Sequence, residues 1–198
     1  MLNFVLVAGS SRANSQTSKV AKFLHRRLID LGYSSATQCS VIDLGKGPLP
    51  LWPSNESVLW TQYAEQLKNA DALVIISPEW NGMACPAIKN FFIYAGKAEL
   101  AHKPGLLVGV SSGIGGANPI SELRASSYKN CRLCYIPEHL IVRYAEQVLN
   151  DNSTISSDDQ RLRTRIDYAL GGLNKYSQAL RPVRATSDLS QPDFANGM

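Results

Sequence analysis

The chain reads as an α/β protein built on an open, doubly wound, five-stranded parallel sheet, and three observations predict it. Strand-like and helix-like segments alternate five times along 198 residues. The runs LVAG and ALVIISP are continuously apolar, as strands covered on both faces should be. Polar and glycine-rich loops follow the first, third and fourth strands. Such alternation puts a helix in each crossover between parallel strands. The length suits one domain, taken as residues 1–180, with a tail at 181–198.

Each element has its own justification. The apolar stretch 3–8 opens the sheet. A helix over 17–31 follows, with Val20, Phe23, Leu24, Leu28 and Leu31 recurring at helical spacing. Strands are expected at 37–42, 71–77, 105–110 and 134–142, and helices at 56–69, 84–98 and 119–129. The last helix, 158–180, carries its apolar stripe on Leu162, Ile166, Leu170 and Leu173, with Ser177 continuing the spacing. The tail, RPVRATSDLSQPDFANGM, is poor in apolar residues and is expected to be loosely attached or docked against a partner subunit.

Composition narrows the function. Hydrophobic residues make up 44% and charged residues 18%, ordinary for a globular protein. No apolar run approaches the ~18 residues of a membrane span. The N-terminus lacks a basic leader and a small-residue cleavage site, so a cytoplasmic location is expected, where the sequons at Asn55 and Asn152 would be incidental. The net charge of +4 is scattered. Its two clusters, His25-Arg26-Arg27 and Arg161/Arg163/Arg165, read as solvated helix faces, and no nucleic-acid partner is expected. The pair Cys131 and Cys134 has C-x-x-C spacing, but the segment reads as extended. Positions i and i+3 of a strand stand ~10 Å apart, too far for a disulfide, so packing cysteines are expected. The three histidines lack metal-binding spacing. No metal site is predicted, and only His102 is kept as a candidate beside an acceptor.

In doubly wound sheets, ligands bind beyond the carboxyl ends of the strands, where strand order reverses. The first loop there is GSSRANSQT. A helix beginning near residues 15–17 turns unpaired N–H groups toward it, Ser10, Ser15 and Thr17 add hydroxyls, and Arg12 adds a planar cation suited to phosphate. The competing reading is a plain strand-to-helix turn with a serine cap. The loop lacks the G-x-G-x-x-G fingerprint, the closing Gly-Lys of a P-loop and any C-x5-R pattern. A monophosphate cradle without a nucleophile remains. The second loop spans 77–96, bracketed by Pro78 and Pro86. Trp80 and Asn81 offer a flat surface and amide groups to a planar heterocycle, unless Trp80 simply packs over the sheet edge. The third, 109–124, carries Gly113, Gly115 and Gly116 beside Ser111 and Ser112, letting backbone approach a ligand.

Together GSSRANS, PEWNGMACPAIKNFF and SSGIGGANPISELR resemble, in order and spacing, the three signatures of the flavodoxin-like NAD(P)H-dependent FMN reductases, which include quinone, azo-dye and chromate reductases. The likeness covers about residues 2–142. It implies a flavodoxin-like fold and an FMN phosphate held by Ser10, Arg12, Asn14, Ser15, Gln16 and Thr17. Pro78, Glu79, Trp80, Asn81, Gly82 and Met83 would flank the isoalloxazine ring and ribityl chain. Ser112, Gly113 and Gly116 would line the pyrimidine side. It also implies flavin-centred hydride transfer from NADPH or NADH to a quinone, flavin or azo compound, with no catalytic side chain. The assembly would be a homodimer or homotetramer, with neither nucleic acid nor membrane as partner. Trp80 stands where the family has Tyr, and Met83 where a small polar residue is commoner. Two rival readings are a flavodoxin-type electron carrier, which the positive net charge opposes, and a flavin-binding module without catalysis.

Overall fold

The first apolar run forms a strand, β1 (Phe4–Ala8), buried along its whole length. The computed structural model describes residues 1–53, 58–151 and 155–190. Residues 56–57 of the second expected helix, both sequon asparagines and the tail beyond 190 lie outside them. After β1 come α1 (Gln16–Asp30), β2 (Cys39–Asp43), α2 (Val58–Asn69) and β3 (Ala72–Trp80). Then follow β4 (Met83–Ala84), α3 (Pro86–Tyr94), α4 (Lys97–Leu100), β5 (Pro104–Val110) and α5 (Ala117–Ser126). The order closes with β6 (Cys134–Val142), α6 (Ser157–Ala179) and α7 (Arg181–Thr186).

The parallel strands run in the order β2-β1-β3-β5-β6, with β4 antiparallel on the end of β3. The chain leaves β1 toward β2 and returns on the other side to β3, so strand order reverses between β1 and β3. Strand periodicity divides the core. Phe4, Leu6, Val74, Ile76 and Val108 face Leu24 and Leu28 of α1 and Ile166, Leu170 and Leu173 of α6. Val5, Val7, Leu73, Ile75 and Leu107 face Leu67, Ile88, Phe91 and Leu123 on the opposite side. Each fully buried Leu or Ile contributes roughly 1.5–3 kcal/mol relative to exposure, so this two-sided burial dominates the fold's stability.

Outside the β3–β4 region, the structure corrects four expectations. The stretch expected as one helix over 84–98 is two, because Ala95 leaves helical geometry (ψ 103) and Gly96 caps the next turn. Cys131 is not extended: it sits in a turn before β6 whose next residue, Arg132, has φ 58. All four thiols are free, and burial pushes that of Cys39 up to about 12. Residues 181–189 are anchored on their own chain, since Arg181 and Arg184 both pair with Asp71 and Lys97 Nζ donates to the Leu189 carbonyl. His102 sits just before the amino end of β5, at the edge of the sheet opposite the three loops, with its backbone N–H donated to Arg132 O. The two basic clusters are largely matched by acids: Arg27 binds Asp167 of α6 through two nitrogens, and Arg163 binds Asp159.

Candidate cofactor and active site

The first loop begins where β1 can no longer stay in the sheet. The Gly9 N–H donates to Ile76 O at 2.8 Å, and a Cβ there would lie 2.8 Å from that oxygen and 2.9 Å from Ile88 Cβ. Only glycine passes between β3 and α3. The chain then turns tightly, with the buried Ser10 Oγ accepting the Arg12 N–H (3.1 Å) and Asn14 taking a left-handed conformation (φ 54). Ser15 caps α1 by accepting the Ser18 N–H (3.2 Å) and shares a hydrogen bond with the Thr17 hydroxyl (2.7 Å). The Gln16 and Thr17 amides have no acceptor within the helix, and the helix dipole adds roughly half a positive charge at this end. Gln16 Oε1 is sealed from solvent without a hydrogen-bond partner among the described residues. Arg12 and Asn14 are exposed.

The loop has a brace that the sequence reading missed. Ser18 Oγ donates to Asp43 Oδ2 (2.7 Å), while Asp43 Oδ1 accepts the Gly45 N–H (3.1 Å). Gly45 presses so closely on the Arg12 carbonyl that a Cβ would stand 2.2 Å from it. The available signal was an acid-glycine pair ending the second strand.

The second region is not a loop at its start. β3 continues past residue 77 through Pro78 and Glu79 to Trp80, turns at Asn81-Gly82 (φ 49 and 75) and returns as β4, pairing Glu79 with Ala84 and Trp80 with Met83. Two consecutive positive φ values are the mark of a type I′ hairpin, which Asn-Gly favours. Ala84 donates its N–H to Glu122 Oε2 (2.7 Å), tying β4 to α5. Trp80 is 37% exposed, so it is not sealed against the sheet edge, and the Arg12 guanidinium lies 4.5 Å from its ring centroid. Asn81, Gly82 and Met83 are exposed beside it.

The third loop is fixed by a residue of the second. Glu79 Oε2 accepts the Gly116 N–H at 2.6 Å, and Gly116, at φ 103, lies against Gly109 of β5. Ser112 is exposed and Gly113 half-buried. The end of β6 holds this loop from behind, through Tyr144 N–H to Gly113 O (3.1 Å) and Arg143 Nε to Ile114 O (2.6 Å). The three predicted groups therefore share the carboxyl edge of the sheet, linked by Arg12 to Trp80 and by Glu79 to Gly116. A hollow of about 200 Å³ between Ser11, Leu49, Pro86 and Ala87 lies on the α3 side of the first loop. A wider groove of about 680 Å³ runs from Asn14 down the solvent face of α1 and does not reach Trp80.

This donor set fits a flavin mononucleotide: an anion-seeking helix end beside the exposed Arg12, then a half-exposed aromatic, then close-lying backbone. The sequence profile of the NADPH-dependent FMN reductases matches residues 2–147. The chain belongs to that family. This FMN reductase is 30% identical over 191 residues to a 2-hydroxy-1,4-benzoquinone reductase from Burkholderia sp., covering 92% of this chain and 98% of that one. It is 28% identical over 130 residues to an NADPH azoreductase from Bacillus sp. (strain OY1-2), covering 63% and 68% of the two chains. Among solved structures it matches an oxidoreductase from Corynebacterium diphtheriae (TM-score 0.69, 13% identity, 90% and 98% covered). It also matches a flavoenzyme NAD(P)H:(acceptor) oxidoreductase from Paracoccus denitrificans (TM-score 0.66, 18% identity, 90% and 98% covered). At these identities the structural matches speak for the flavodoxin-like fold. Family membership makes the protein an NAD(P)H-dependent flavin oxidoreductase that uses FMN. Among the described residues no helix is long and apolar enough to cross a membrane, and no His, Cys, Asp and Glu side chains cluster as a metal site.

Proposed function

We propose that this FMN reductase is an NADPH:quinone reductase whose FMN lies along the three loops, its phosphate at the α1 N-terminus and its ring beside Trp80. The observation that carries this reading is the meeting of a helix-capped cationic loop with a half-exposed aromatic at the β1/β3 reversal. When bound, FMN would supply the redox chemistry, a hydride transfer between the nicotinamide and the acceptor.

The chain's own residues bind and orient. Ser10, Arg12, Asn14, Ser15, Gln16 and Thr17 grip the phosphate: Arg12 offers paired N–H donors, and the Gln16 and Thr17 amides point along the helix dipole. Pro78, Trp80, Asn81, Gly82 and Met83 flank the ring and ribityl chain, on the hairpin that Glu79 ties to the third loop. Ser112 and Gly113 border the pyrimidine side, and Gly116, its amide spent on Glu79, borders it with its backbone surface. Met83 (55% exposed) and Ile114 (74%) give the entrance an apolar rim suited to a planar acceptor. The benzoquinone reductase relative, aligned over nearly both full lengths, favours a small quinone as that acceptor, and the family description favours NADPH as donor. The enzyme works in the cytoplasm as a homo-oligomer. The exposed Leu51 (81%), Trp52 (48%) and Ile93 (57%) support a subunit interface.

The test is direct. The purified protein should be yellow, or become so on adding FMN, and should oxidise NADPH faster than NADH when given a benzoquinone. A colourless protein that takes up no FMN would sink the reading. Light scattering should return a multiple of the 21.6 kDa chain mass.

A further inference from the structure

We infer that Glu79 is a positioning residue that fixes the third loop for the flavin ring by acting through Gly116, rather than by touching the cofactor. This rests on the reading of the three loops as the FMN site.

The geometry leaves the Glu79 carboxylate little freedom. One oxygen accepts the Gly116 N–H at 2.6 Å. The other lies where a Cβ on Gly115 would approach to 2.7 Å, so two successive residues of the third loop close around it. A charged acceptor makes such a bond roughly twice as strong as a neutral one. Gly116 is held at φ 103, where a side chain would be strained, and its carbonyl packs on Gly109 at the end of β5. The bond to Glu79 therefore sets where the backbone of residues 113–116 stands. The hairpin carrying Glu79 has a separate anchor in the Ala84 N–H to Glu122 bond, which Lys89 reinforces at 3.2 Å. Removing the Glu79 carboxylate thus frees the third loop while leaving the hairpin attached.

Two flavins separate ring-end effects from phosphate-end effects, because riboflavin is FMN without its phosphate. Apoprotein is titrated with FMN and with riboflavin, following flavin fluorescence. Glu79→Ala should weaken both by the same factor, about 10-fold or more, leaving their affinity ratio unchanged. Glu79→Gln keeps an oxygen acceptor for Gly116 and should stay within about threefold of the wild type for both. Gly115→Ala approaches the same contact from the other side with Glu79 intact. It should lose affinity for both flavins, and combined with Glu79→Ala it should add less than the sum of the single losses. Arg12→Ala is the control for the site itself and should lower FMN affinity alone.

Glu79→Ala with wild-type affinities overturns the inference, as does Glu79→Gln failing as badly as Glu79→Ala. A wild type that binds neither flavin, or an Arg12→Ala variant with an unchanged ratio, overturns the underlying site reading instead. Should Glu79→Ala not fold, the Gln and Gly115→Ala variants decide alone.

Discussion

The guanidinium of Arg12 stands 4.5 Å from the centre of the Trp80 ring, joining the first loop to the tip of the β3–β4 hairpin across 68 residues of sequence. A cation over an indole at a partly exposed site is worth ~0.5–1 kcal/mol. That is enough to orient Arg12 and too little to hold it against a phosphate, whose charged hydrogen bonds are stronger. Arg12→Ala should therefore weaken FMN binding by ~1–3 kcal/mol, the cost of losing one charged partner, while leaving the fold intact. Fluorescence titration and a urea melt check the two halves. Unchanged FMN affinity would reduce the loop to a turn.

Gly9 gives a second prediction, on folding rather than binding. Its missing Cβ leaves room for the Ile76 carbonyl, fixed in β3, and for the Ile88 side chain, fully buried in the first turn of α3, so neither can swing away. Gly9→Ala should destabilise the protein by ~1–3 kcal/mol, the usual cost of overpacking. The measurement is the urea midpoint of the apoprotein. A loss under ~0.5 kcal/mol, the size of an ordinary surface change, would mean the backbone yields there easily.

Local pattern made much of this legible in the sequence. The continuous apolar runs at β1 and β3 announced strands buried on both faces, and the stripe through Val20, Leu24 and Leu28 announced the covered side of α1. The misreading at β3 came from weighting Pro78 as a stop. Proline lacks a donor, but Pro78 pairs with Val110 where the β5 ladder ends, so the strand runs on to the Asn-Gly turn that the sequence did contain. What no local pattern carries is partnership at a distance. The Glu79–Gly116 bond spans 37 residues and Ser18–Asp43 spans 25, and both depend on crossovers whose register only the folded sheet defines. Residues 181–189 of the tail were misread as loose for the same reason, because their arginines acquire meaning only beside Asp71.

Asp71 is the hub of that attachment. Its carboxylate, 11% exposed, accepts the Asn3 N–H (2.9 Å) and hydrogen bonds from Arg181 (3.1 Å) and Arg184 (2.9 Å). Arg184 is itself mostly buried, with Nη1 unpartnered among the described residues. Asp71→Ala would strand that cation and should cost ~3 kcal/mol, the lower end for breaking a buried pair. Trypsin should then cut first after Arg184, read by mass spectrometry, since the Arg181–Pro182 bond resists it. Cleavage as slow as in the wild type would show that α7 is held by something else.

Lys103 links the same corner to pH. It is buried, and its ammonium donates to the Leu67 and Lys68 carbonyls at the end of α2, the latter at 2.8 Å. Desolvation first, and the charge of Arg184 second, lower its pKa to about 8, against opposing help from Asp71 and Glu99. In the unfolded chain the value is ~10.4. Between those values the unfolded state holds the proton more tightly, so stability from this group rises with pH through the window. Below about pH 8 both states are protonated and the full burial penalty applies. The ceiling is ~3 kcal/mol, reduced by the two carbonyl bonds that favour the ammonium. Lys103→Met removes the titration while filling the space. The difference in urea-melt stability, wild type minus variant, should grow in favour of the wild type from pH 8 to pH 10, with all other titrating groups cancelling. A flat difference would place the Lys103 pKa at its ordinary value and leave the lysine as a simple helix cap.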